Sequence, residues 1–127
     1  METGLLGIST FTARRILPVP GVQIYISSQN GDEEVLLYSL VTDENGNTPI
    51  VELDAPDMAL SEQPGEIMPF SIYNVRAIKE GFFRTIVKDV QVFSGRTSIQ
   101  NFELIPLPEN TEGIDTTNTF IVQPQNL

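Results

Sequence analysis

Residues Pro20–Asn47 read PGVQIYISSQNGDEEVLLYSLVTDENGN, and this stretch decides the fold. Val22, Ile24 and Ile26 alternate with Gln23, Tyr25 and Ser27. Successive side chains of a strand point to opposite faces, so this alternation predicts a strand with one buried face. Gln29-Asn30-Gly31-Asp32 supplies a tight turn. Glu34 to Thr42 predicts the next strand, apolar at both parities: Val35, Leu37 and Val41 on one side, Leu36, Tyr38 and Leu40 on the other. Such a strand is expected to be covered on both faces by the chain itself; the alternative is that one face meets a partner. Asp43 to Asn47 is the strongest turn signal, because Asn45-Gly46 readily takes the positive φ angles that tight hairpins require.

The same texture continues in both directions. Short runs of Val, Ile, Leu, Phe and Tyr are separated by turn residues, and no window carries a sustained helical stripe. Further strands are predicted at Leu5–Ala13, Thr48–Leu53, Phe70–Lys79, Phe82–Val92 and Ser98–Leu104. Tyr73, Val75 and Ala77 should face inward, and Gln100, Phe102 and Leu104 should share a face. Pro49 is tolerable near a strand's start or on an edge. Asp54 to Pro69, with Pro56, Pro64 and Gly65, reads as a long loop, and long loops inside compact domains are usually functional. Beyond Pro106-Leu107-Pro108 the chain turns polar, so residues 108–127 are expected to be a tail or linker after a domain spanning 1–107. Phe120-Ile121-Val122 is the apolar patch in it, which could add an edge strand or dock on a neighbour, but a disordered tail is the preferred reading. The expected fold is an all-β, seven-stranded antiparallel sandwich.

Composition narrows the partners. Seven Lys plus Arg stand against 17 Asp plus Glu, a formal net charge of −10. That field repels phosphate backbones and anionic membrane surfaces, so neither nucleic acid nor a membrane is expected. No apolar run approaches the roughly 20 residues of a membrane-spanning helix. Met1-Glu2-Thr3-Gly4 lacks the basic start and apolar stretch of a signal peptide, which suggests a different route or a piece of a longer chain. The absence of cysteine removes disulfides and thiol chemistry without fixing a compartment.

Several segments together resemble a known family. Pro18-Val19-Pro20-Gly21-Val22-Gln23-Ile24, Thr42-Asp43-Glu44-Asn45-Gly46, Tyr73-Asn74-Val75-Arg76-Ala77 and Glu80-Gly81-Phe82 follow the order and approximate spacing of carboxypeptidase regulatory-like domains. That resemblance, over residues 4 to 107, implies a transthyretin-like (prealbumin-like) sandwich. Met68-Pro69-Phe70-Ser71-Ile72-Tyr73-Asn74-Val75, Val90 to Gln100 and Leu104-Ile105-Pro106-Leu107-Pro108 look like the accessory domain of clostridial spore cortex-lytic and peptidoglycan-binding proteins. The resemblance implies a structural module in a spore- or cell-wall-associated protein, with the lytic portion elsewhere.

Histidine is absent, which removes the commonest general base and zinc ligand, and the usual serine or cysteine triads. Hydroxyisourate hydrolases and intradiol dioxygenases, which share related sandwiches, both need histidines. The chain is therefore expected not to be an enzyme, and to hold no cofactor or metal. Carboxylates at Asp54, Asp57, Glu62 and Glu66 could in principle form a glycosidase pair, but a solvated acidic loop fits them better. Asp43 to Asn47 clusters oxygens without the order of a calcium loop, so a plain turn is preferred. Lys79 and Lys88 both come late, whereas isopeptide-bonded adhesin sandwiches carry their lysine in the first strand.

What remains is binding. The expected contact surfaces are the loop, with Asp57 and Glu62, and the two-faced third strand, with Tyr38. Their partner would be another protein domain. The alternative is a carbohydrate- or peptidoglycan-binding platform of Tyr25, Phe82 and Phe83, although each has a plain packing role. A further possibility is a homo-oligomer through an exposed sheet.

Overall fold

The computed structural model describes residues 2–14, 16–56, 70–108 and 117–121. They form nine strands and no helix: β1 (Glu2–Thr12), β2 (Leu17–Pro18), β3 (Gln23–Asn30), β4 (Glu33–Val41), β5 (Val51–Ala55), β6 (Ser71–Ile78), β7 (Arg84–Val92), β8 (Thr97–Glu103) and β9 (Thr117–Ile121). The predicted all-β sandwich is observed, with each of the seven expected strands present and β2 and β9 added.

Sheet I is built around β1. One edge of β1 carries β8 in parallel; the other carries β5 and, further along, the short β2, both antiparallel. Sheet II runs β4-β3-β6-β7-β9, antiparallel except for β9 beside β7. The sandwich is thus not wholly antiparallel, because β1–β8 and β7–β9 pair in parallel. Residues 117–121 also depart from the tail expected for them. β7 presents a free edge, and pairing along it satisfies backbone groups of Thr117–Ile121 that a polar composition alone leaves to water.

The core lies between the inner faces. Leu6, Ile8, Leu53, Phe102 and Leu104 come from sheet I or its end, and Val22, Ile24, Ile26, Tyr73, Val75, Ala77, Val87, Val90 and Val92 from sheet II or its approach. The expected inward sets of β3, β6 and β8 therefore hold, except that Gln100 is half-buried. Ser27, expected outward, is buried beside an irregularity at Ile26/Ser27, where one extra residue on β4 shifts the pairing with β3. A second shift, on β7, coincides with Asp89 at φ 61° and lets Val87 and Val90 both face the core.

The Asp43–Asn47 turn has a different role from the one expected. β4 belongs to sheet II and β5 to sheet I, so the turn is a crossover and not a hairpin. Gly46 has φ 79°, and a Cβ there would run into the carbonyl oxygen of Thr10. Buried threonines anchor the crossover: Thr10 Oγ1 donates to Val19 O at 2.8 Å, Thr42 Oγ1 donates to Val19 O at 2.9 Å, and Thr48 Oγ1 accepts from Ile8 N at 3.0 Å. Pro49 lies outside any strand, and β5 begins only at Val51. The hairpin with a two-residue loop is instead β3–β4, where Asn30 pairs with Glu33 and Gly31 takes φ 65°.

Candidate protein-interaction edge

β4 is the outermost strand of sheet II, paired on one side with β3. Among the described residues nothing pairs with its other side. A strand in that position leaves alternate N–H and C=O groups without ladder partners. Its side chains do not follow the expectation of self-coverage. Val35 is 43% exposed, Leu36 58%, Leu37 42% and Val41 58%, while Tyr38 and Leu40 pack against the core. Neighbouring apolar residues in succession are uncommon on a solvated edge, which is normally blunted by charge or proline.

The space beside β4 is shaped by two tyrosines. The Tyr38 hydroxyl donates to Glu52 O at 2.8 Å, and the Tyr73 hydroxyl donates to Asp54 O at 2.6 Å. Both sheet II phenols thereby hold alternate carbonyls of β5, the edge strand of sheet I nearest to them. Because Val51, Leu53 and Ala55 turn inward, the carboxylates of Glu52 and Asp54 are left on the exposed side of β5. Burial raises the Tyr73 hydroxyl above its ordinary pKa, and the nearby Asp54 charge raises it further. The result is a shallow cleft of about 290 Å³ lined by Leu37, Tyr38, Glu52, Leu53, Asp54 and Tyr73. Of this set, Leu37 and Tyr38 fall on the strand expected as a contact surface and Asp54 at the start of the loop expected as another, whereas Glu52, Leu53 and Tyr73 were not expected there. The alternation Val51-Glu52-Leu53-Asp54-Ala55 is the signal that sets two carboxylates on one face.

Charge is unevenly distributed around this edge. The segment from Ile16 to Val75 contains no Lys or Arg and ten Asp or Glu, so it carries the whole net charge of −10. β3, β4 and β5 all lie within it. One guanidinium reaches β4 itself: Arg76 forms an ion pair with Glu34 at 2.5 Å, with a second contact at 3.2 Å.

Two members of the aromatic platform, Tyr25 and Phe82, are not brought together. Tyr25 lies on the outer face of β3, opposite to Ile24 and Ile26, with its hydroxyl on Gln23 Oε1 at 3.0 Å. Phe82, half-buried, packs against the core and bridges to Pro106, and Phe83 N donates to Ile105 O at 2.9 Å. Tyr25 and Phe82 thus serve opposite faces of sheet II. Asp57 and Glu62 lie outside the described residues. In the Asp43 turn, the carboxylate Oδ1 accepts from Asn45 N and Asn47 N at 2.9 and 3.0 Å, which assigns it to the turn's own backbone.

No known protein-family pattern matches the chain, and no curated protein sequence does. Solved structures share its fold. The Bacillus anthracis TIE protein aligns with a TM-score of 0.54 and 17% identity over 84% of this chain, which corresponds to 17% of that protein. GBS52, the minor pilin of the Gram-positive pathogen Streptococcus agalactiae, aligns at 0.55 and 16% over 84% of this chain and 46% of its own. Catechol 1,2-dioxygenase from Acinetobacter, inhibited by bound mercury, aligns at 0.56 and 15% over 95% of this chain and 58% of its own. The chain therefore spans less than two thirds of each.

The last of these corrects one expectation. An enzyme shares this architecture along nearly the whole chain, so the reading that the domain is not an enzyme does not stand. Absence of histidine removes particular catalytic sites, whereas a sandwich can present others from its loops. At these identities the likeness concerns the fold alone.

Proposed function

We propose that this chain is a structural or adhesion-type interaction module of a bacterial cell-wall or spore-associated protein, of transthyretin-like type, and that it works by protein–protein contact. The observation that carries this reading is β4, an edge strand with Val35, Leu36 and Leu37 exposed in succession, and Val41 exposed at its end, beside an open cleft. Apolar area of this kind favours association, since each buried Å² of it contributes roughly 25 cal/mol. The motif order from Pro18 to Phe82 supports the transthyretin-like assignment, and the fold shared with a minor pilin supports a surface-protein context. The separation of Tyr25 from Phe82 weighs against a sugar-stacking platform.

Retention on bacterial wall tests the reading. The purified domain is mixed with walls carrying their attached proteins and with walls stripped to bare peptidoglycan. A protein-contact module is retained by the first and not the second, and Leu36→Lys reduces that retention. Equal retention on bare peptidoglycan would establish glycan recognition instead. Absence of retention on either would remove the wall from the account.

A further inference from the structure

We propose that the free edge of β4 accepts an extended, lysine- or arginine-bearing polypeptide segment by strand addition. This deepens the interaction reading above and rests on it, because it names the chemistry of the partner at the same edge. Backbone pairing along β4 would satisfy N–H and C=O groups that have no ladder partner among the described residues. Alternate apolar side chains of the incoming strand would cover Leu37 and Tyr38 over the cleft.

Charge selects the sign of the partner. Asp32 and Glu33 stand at the start of β4, Asp43 and Glu44 beyond its end, and Glu52 and Asp54 along the cleft. Arg76 pairs with Glu34, which is none of these six. A cationic strand would therefore meet carboxylates at both ends and at its flank, which raises both its association rate and its preference over other strands. A second copy of this chain fits poorly on two counts. It would bring the same ten-acid segment against itself. A two-fold pair centred on Leu37 would also set the two β4 irregularities opposite each other and break the shared ladder.

The test uses the intact chain and two fluorescent nine-residue peptides of identical alternating apolar content, one carrying lysines and the other glutamates at the remaining positions. Binding is read by anisotropy, and amide hydrogen exchange reports where it occurs. The lysine peptide should bind at least about ten-fold more tightly, weaken as salt rises from about 50 to 300 mM, and slow exchange at Glu33–Val41. Glu52→Gln with Asp54→Asn should reduce lysine-peptide affinity by about five-fold with exchange elsewhere unchanged. Equal affinity for both peptides with β4 protected would overturn the charge selection and leave the interaction reading standing. Binding without β4 protection would overturn strand addition. Protection that rises with protein concentration and no peptide would assign the edge to a second copy, and protection independent of concentration to another segment of the chain itself. Exchange at β4 that stays fast with either peptide would overturn this proposal, while the wall experiment would still decide the broader reading.

Discussion

β1 and β4 both carry runs of apolar residues, yet one is paired along both edges and the other along one. β1 has β8 along one edge and β5, Asn47 and β2 along the other, and residues Leu6 to Thr10 are all buried. β4 has β3 on one edge and, among the described residues, no partner on the other, and four of its apolar residues are exposed. Glycines tighten the packing over β1: a Cβ at Gly4 would meet the Phe93 carbonyl oxygen and Val92 Cγ1, and one at Gly7 would meet Ile99 Cδ1. Place in the sheet sets the larger difference, since β3 and β6 also lack glycine and are paired along both edges. Apolar content tells that a strand will seek cover, and topology decides which edges the rest of the chain supplies.

The comparison breaks most readily at the buried strand. Ile8→Ala removes a 1%-exposed side chain from the centre of the core. It should cost about 3 kcal/mol and lower the melting temperature by roughly 10–15 °C in a calorimetric scan. Gly4→Ala tests the close approach directly: it should cost about 2 kcal/mol in urea unfolding because the backbone at Phe93 must move, whereas a loss below about 0.5 kcal/mol would mean that the approach is soft.

Tyr73→Phe probes the clamp between the sheets. Loss of the bond to Asp54 O should cost about 1 kcal/mol near neutral pH. The sign of its pH dependence follows from the raised pKa. Above its ordinary value of 10.0 the unfolded chain releases the phenolic proton before the folded chain does, so this contribution is present below that pH and is lost as pH rises toward the folded value. The gap between the urea midpoints of the parent and the Phe variant should therefore stay constant up to neutral and mildly alkaline pH and narrow only as pH rises above 10.0. The smallest effect belongs to β4: Leu36→Lys should shift stability by no more than about 0.5 kcal/mol, since its side chain is 58% exposed. A large loss there would show that the edge is covered.

Much of the architecture was legible because strand periodicity is local. The inward sets Val22-Ile24-Ile26 and Tyr73-Val75-Ala77 could be read from alternation alone, and the Asn30-Gly31 hairpin from turn chemistry. The parity of β7 could not, because the extra residue near Asp89 breaks the period that such reading relies on. Of the candidate site, Tyr38 was visible as a contact, while its role in holding Glu52 O depends on two sheets meeting. The acidic bias was visible as a total; its coincidence with the exposed edge was not, since it requires knowing which strands end up outermost.

By itself the sequence determined the all-β class, the position of seven strands, the faces of three of them and the sign of the charge. These are properties of residues within a few positions of one another, governed by side-chain alternation and backbone preference. Only the tertiary structure decided that Asp43–Asn47 crosses between sheets, that Thr117–Ile121 pairs in parallel with β7, and that β1 is central while β4 is an edge. Those outcomes depend on contacts between segments far apart in the chain, where competing pairings share the same local pattern and packing selects among them.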